Sequence, residues 1–317
     1  MADQEPKRKD SVVTQERQSE RGGARPSRRW FLGAALGMAG AYAAGLGTPR
    51  ITAYLRERSI RRAVEAVLPE APVRTGLTLG RPVAALIEAG TIDPARFRTA
   101  YADRGPLPPW VHAVLAGSDA EVVLSRANAP YLLNVLWPLG LANRAAFNAD
   151  SPLNGPDAAS FASTGGWTLG NGGNGADWFN AVDAVALAPE QDALVRSVAD
   201  RTFRPCCDNS TFFQDCNHGS AMLGLLQLAA ASGGGEDALF RLARDANGFW
   251  YPEKYVEMAL YFDRFEGLDW RDVKPERTVS RAHASISGWR KTVHAAMIAD
   301  TPSGGTRAGG GGSGCAV

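Results

Sequence analysis

Neither sign of charge prevails in this chain of 317 residues: 34 Lys and Arg stand against 33 Asp and Glu, a formal net charge of +1. That balance argues against nucleic acid as a partner, since such proteins need a basic excess to displace counterions from phosphate. Period-two alternation is almost absent from the body, which argues against a sheet-built domain and for an all-α or mostly α one. The chain also lacks a P-loop, an H-E-x-x-H helix and a G-x-S-x-G elbow, so the usual NTPase, zincin and hydrolase signatures are missing. Histidine is scarce, with four in all, and His112, His283 and His294 are scattered over helical stretches, where surface or satisfied core roles are the rule. Cysteine is equally scarce but not scattered. Three of the four fall within "CCDNSTFFQDCNHG", residues 206 to 219, together with the fourth histidine.

Hydrophobic residues make up 45% of the chain, enough at this length to fill a sizeable core. The ends are unlike the body. The first 29 residues hold eight Lys or Arg against five Asp or Glu, and "SRRWFLGAALGMAGAYAAGLG" sets Arg28 and Arg29 before an uncharged run from Trp30 to Gly47. This stretch resembles the twin-arginine export signal, with Ser27, Arg28, Arg29, Phe31 and Leu32 on its S-R-R-x-F-L pattern. The resemblance implies the Tat translocase as a transient partner, export of an already folded protein to the periplasm or beyond, and often a cofactor inserted before export. Ala41-Tyr42-Ala43 offers a cleavage site; left uncleaved, the run would be an N-terminal membrane anchor and the only contact with a membrane. Exported cysteines meet an oxidising compartment. Residues 1–48 therefore read as signal or anchor, 49–300 as a helical domain, and 301–317, "TPSGGTRAGGGGSGCAV", as a flexible Gly-rich tail that carries Cys315.

Within the domain, "ITAYLRERSIRRAVEAVL" puts Ile51, Leu55, Ile60, Val64 and Val67 near one helical face. In "TIDPARFRTAY", Asp93 can cap a helix and Pro94 open it. "LPPWVHAVLAG" should end at Gly117, and "GSAMLGLLQLAAASGGG" at Gly233 to Gly235. "RANAPYLLNVLWPLGLANRAAF" is apolar nearly all round and predicts a buried helix, kinked or broken at Pro138. The long loop "SPLNGPDAASFASTGGWTLGNGGNG", 151–175, is dense in Gly and Asn and suggests the wall or lid of a site, with Trp167 supplying apolar area. Its Gly170, Gly172 and Gly175 have G-x-G-x-x-G spacing, but Leu194 stands where that fingerprint needs an acidic residue.

The cluster carries the chemistry. Cys216 and His218 sit where a buried helix begins, with Asp215 or Asn217 placed to cap it. A helix start favours a thiolate, so Cys216 should be the most acidic thiol. A structural reading pairs Cys206 or Cys207 with Cys216, closing a loop of about ten residues worth roughly 2.7 kcal/mol, and makes the chain a stapled helical binding protein. A metal reading takes Cys207, Cys216 and His218 as ligands, with Cys206 as the fourth ligand or a redox partner. Such soft donors suit zinc or copper, and Met222 as a thioether leans toward Cu(I). A redox reading makes Cys216 and Cys315 the working thiols, acting on a small thiophilic ligand. In that one feature "GGGGSGCAV" resembles the Gly-rich, cysteine-bearing C-terminal arm of the sulfur-carrier protein of bacterial thiosulfate oxidation, with Ala316 and Val317 in place of the closing glycines. The segments "LLNVLWPLGLAN", "STGGWTLG" and "DCNHGSAMLGLL" resemble a bacterial exported family of no established activity. The clustered soft donors favour the metal reading.

Overall fold

The computed structural model describes residues 52–300, and those from Arg56 onward belong to one compact unit. The unit is mostly helical, as the periodicity predicts. Helix α1 covers residues 52–67; strand β1 is Val73–Thr78, followed by α2 (Gly80–Glu88), α3 (Pro94–Thr99), α4 (Pro109–Leu115) and strand β2 (Glu121–Leu124). The core pair is α5 (Ala129–Ala142) and, far on in sequence, α8 (Asn217–Ala231), with the short α6 (Ala162–Gly165) and α7 (Pro189–Arg201) between them. Then come α9 (Glu236–Trp250), α10 (Pro252–Tyr261), the short turns α11 (Pro275–Thr278), α12 (Arg281–Ala284) and α13 (Ile286–Trp289), and α14 (Ala295–Ala299). Among the described residues no helix is long and apolar enough to cross a membrane.

The ends of these helices obey local chemistry. Asp93 caps α3, its carboxylate accepting from the amides of Ala95 at 2.7 Å and Arg96 at 3.0 Å. These bonds, with the charges of Arg96 and Arg98, hold the Asp93 carboxyl below its ordinary range. Helix α4 ends where Gly117 takes φ +81°; the Gly117 amide donates to the Val114 carbonyl and Ser118 to Ala113. Gly233 closes α8 in the same way. Two expectations change. Helix α5 runs unbroken through Pro138, four residues short of its end, where few turns remain to be disturbed. Helix α1 meets the core at Ala63 and Val67, and Leu68 just after it, while Ile60 stays 39% exposed. The two strands, not foreseen, pair antiparallel, with Val73 opposite Leu124 and Thr78 opposite Glu121.

Residues 151–175 pack from within and also touch the cysteine loop through Phe161 and Ser163. Trp167 is buried edge-on against Trp137, ring centroids 5.1 Å apart. Gly170 lies so close to the α2–α3 turn that a Cβ there would sit 2.0 Å from the Thr91 carbonyl oxygen. Asparagines pin the loop from within: Asn154 donates to the Asn148 carbonyl at 2.8 Å, and Asn174 to that of Ala159 at 2.9 Å. Further on, Asn143, at the end of α5, accepts from the amides of Ala184 and Val185 and donates to Gln227 of α8. Side-chain amides thus replace the ladder that this irregular backbone lacks.

Helices α5 and α8 cross at almost backbone contact. A Cβ on Gly140 would lie 1.7 Å from the Ser220 carbonyl oxygen, and one on Gly224 would lie 2.6 Å from that of Leu136. Only hydrogen fits at either point. Gly140→Ala is expected to lower unfolding stability in denaturant by about 3 kcal/mol, whereas Gly173→Ala, whose Cβ would meet nothing within 4 Å, should stay within about 0.5 kcal/mol. Equal midpoints for the two variants would contradict the close crossing.

A candidate thiolate metal centre

The site is built on a loop that folds back onto the start of α8. The Phe203 amide donates to the Val279 carbonyl at 2.7 Å, and the Thr211 amide to that of Thr202 at 2.8 Å, so residues 203–210 form a closed excursion. Outer anchors hold its tip. Asp208 accepts from the Ser287 amide and hydroxyl at 2.9 and 2.6 Å, and these bonds depress its carboxyl. The Ile286 amide donates to the Cys207 carbonyl at 3.0 Å, and the Lys254 ammonium to that of Pro205 at 3.0 Å. On the other flank the Ser163 hydroxyl donates to the Gln214 carbonyl, and Phe161 meets Phe213 edge-on at 5.0 Å.

At the centre of the loop lies Arg204, its side chain wholly out of solvent. Its Nε–H donates to Cys216 Sγ at 3.3 Å, Nη1 to the Asn209 carbonyl at 3.1 Å, and Nη2 to the Phe213 carbonyl at 3.3 Å and to Asp215 Oδ1 at 2.6 Å. Burial pulls the guanidinium pKa down, but the negative charge available on Cys216, Cys207, Cys206 and Asp215 outweighs it, so Arg204 stays charged. For Asp215 the balance tips the other way. Burial raises its carboxyl above the ordinary value while Arg204, and Asn209 donating at 2.9 Å, hold the rise in check. Gly219 makes room for the guanidinium, because a Cβ there would lie 2.4 Å from Nη2. Sequence reading missed Arg204: a single arginine before "PCC" has no spacing signal.

The cap of α8 is Cys216 itself, not Asp215 or Asn217. Its Sγ accepts from the Gly219 amide at 3.4 Å. Short cap side chains compete for that position, and Asp215 is already committed to Arg204 and Asn209. Cys216 is buried, with 5% of its surface exposed. The Cys206 and Cys207 thiols beside it, and then the charges of Arg204 and His218, outweigh burial and hold its pKa well below the usual thiol value. Cys207 moves the opposite way, up to about 11: a bond from Cys206 favours its ionisation, but the Cys216 thiolate and burial together oppose it more.

The three sulfurs converge. Cys206 Sγ lies 3.7 Å from Cys216 Sγ and 4.0 Å from Cys207 Sγ, and all three fall within 4.8 Å of one another. No disulfide joins them. The cluster could hold a metal ion. No atom of His218 joins this group. Cys216 and His218 lie two residues apart at a helix start, about 200° of helical rotation, so their side chains leave the axis in different directions. The His218 ring packs instead on Tyr251, centroids 4.8 Å apart, and edge-on to Trp250 at 6.0 Å. At Tyr251, burial and then the charges of Cys206 and Cys216 keep the phenol protonated far above the ordinary range. Met222 packs in the core with no exposure. Cys315 and the twin-arginine stretch lie outside the described residues. Compared with protein-family models, curated proteins and solved structures, the chain matches none.

Two measurements follow from Arg204 and Cys216. Arg204→Met removes the cation from the Asp215 carboxylate and one donor from each of three other acceptors in a mostly buried pocket, and should cost about 3–5 kcal/mol of stability. Arg204→Lys should recover little of it, because one ammonium cannot replace the fork. A thiol whose pKa is depressed on folding adds stability that is complete above its unfolded value near 9.0 and is lost as pH falls through the folded value. Cys207 has the opposite sense, its contribution being lost only between 9.0 and about 11. Under reductant, the stability advantage of the wild type over Cys216→Ser should therefore grow from pH 6 to pH 9. A difference that shrinks over that range would contradict the acidified thiolate.

Proposed function

We propose that the protein is an exported binder of a thiophilic metal, zinc or copper, held by Cys206, Cys207 and Cys216. The observation that carries this reading is the spacing of the sulfurs. Three thiolates about 2.3 Å from one ion stand about 3.8 Å apart in tetrahedral geometry and about 4.0 Å apart in trigonal geometry. The two separations from Cys206, 3.7 and 4.0 Å, fall in that range, and the third is within 4.8 Å. A disulfide would need about 2.05 Å. Arg204 supports the reading further, because a fixed cation offsets part of the negative charge that three thiolates accumulate. Zinc would take the three sulfurs and one outside ligand; Cu(I) is satisfied by three sulfurs alone. His218 is not needed as a ligand on this reading.

Export rests on Ser27, Arg28, Arg29, Phe31 and Leu32, whose pattern supports passage through the Tat translocase in the folded state, with residues 1–48 removed or kept as an anchor. A folded-export route suits a metal loaded before translocation. A second reading, thiol-disulfide chemistry, draws support from the Cys216 thiolate and the Cys206 sulfur 3.7 Å away, with Cys315 as a further thiol on the tail. The metal reading takes precedence because it uses all three clustered sulfurs and leaves none adjacent and idle.

Full-length chain purified under reductant and titrated separately with Zn(II) and Cu(I) against a chromophoric chelator tests the proposal. About one ion per chain is expected for wild type and for His218→Ala, and under one tenth of that for Cys207→Ser and Cys216→Ser. Equal metal content in wild type and Cys216→Ser rejects the metal reading, and a Cys206–Cys216 bridge in the native protein, mapped by mass spectrometry, would favour the thiol-disulfide one.

A further inference from the structure

A cavity reaches the start of α8 at Asn217 and His218, and no cysteine lines it. Its volume is about 240 Å³, and its lining includes Tyr101, Arg104, Arg126, Asn134, Asn217 and His218, closed by the apolar surfaces of Leu133 and Trp250. Three properties set it apart from a solvent-filled dent.

The first is charge. Arg104 and Arg126 are its only lining residues with a full charge of fixed sign, and no Asp or Glu lines it. Both arginines are exposed. Arg104 is held over the Tyr101 ring at 5.7 Å. The second is unspent hydrogen-bonding capacity. Asn134, only 5% exposed, donates to the Tyr101 hydroxyl at 2.8 Å, which in turn donates to the Pro130 carbonyl at 2.8 Å. Asn217 is 6% exposed, and neither its carboxamide oxygen nor His218 Nδ1 has a partner among the described residues. Buried polar groups in folded proteins are nearly always bonded, so two unbonded ones on one cavity mark a place where a ligand or ordered solvent completes the set. The third is shape. Rigid aromatic and aliphatic walls with a few polar groups are the ordinary make-up of a small-molecule site, and this volume suits something below drug size.

We infer that this cavity binds a small organic anion, a carboxylate on an apolar body, with Arg104 and Arg126 meeting the charge and Trp250 and Leu133 enclosing the body. The first turn of α8, with its partial positive charge, adds to the same preference. The inference does not depend on the metal reading, since no cysteine lines the cavity.

Benzoate serves as the probe, with benzamide as its uncharged counterpart, in calorimetric titrations of the full chain. Saturable binding of one benzoate per chain is expected, at least tenfold tighter than benzamide. The double variant Arg104→Ala, Arg126→Ala should weaken benzoate at least tenfold and leave benzamide unchanged. Arg290→Ala, an exposed arginine that does not line the cavity, should leave benzoate affinity as in wild type. Trp250 reports the location, because its indole N–H donates to the Ala129 carbonyl at 3.1 Å and its indole proton NMR signal should shift in a parallel benzoate titration. No saturable binding, equal affinity for the two probes, or equal loss in the Arg290 variant would each overturn the inference.

Discussion

A guanidinium sealed from water has to be surrounded by acceptors, and that requirement organises the middle of this protein. Arg204 satisfies it by drawing four acceptors from residues 209 to 216 onto one fork. The loop takes its course because the charge sits inside it. Two sulfurs reach Cys216 as a by-product of that course, and the same cation that shapes the loop helps to ionise the thiol it touches. Shape and reactivity here have one electrostatic cause.

Glycine supplies the matching steric condition. Gly219 admits the guanidinium against the first turn of α8, and Gly140 and Gly224 let that helix lie on α5 with almost no gap. Helix α8 is therefore held along its length by backbone-to-backbone contact and at its head by charge. A rigid support of this kind matters for a site whose sulfurs have to stand a few ångströms apart without collapsing into a bridge.

Much of this was legible in the residues, and the part that was not has a common reason. Asp93 before Pro94, Gly117 and Gly233 act through neighbours in sequence, so the helix ends they mark are where the pattern puts them. The burial of α5 and α8 follows from their unbroken apolar content. The gathering of Cys206, Cys207 and Cys216 was legible from turn residues between them. The strands were not, since β2 is four residues long and β1 is interrupted at Gly76, with φ +72°. Arg204 escaped notice because its role is defined by Gly219 and Asp215, which reach it only after the loop has closed. Trp167 and His218 were assigned by residue type. What decided their places was which neighbour packed against each ring: Trp137 for the one, Tyr251 for the other.

Three consecutive residues, Cys216, Asn217 and His218, open α8 and look into two separate environments, the sulfur recess and the Arg104–Arg126 cavity. Helical geometry turns each successive side chain by about 100°. Inserting or deleting a single residue ahead of Gly219 would therefore swing both environments out of line together. The two chambers are indexed to one another like notches on a single shaft, and variation in chain length can be absorbed only elsewhere, in segments whose phase nothing else reads.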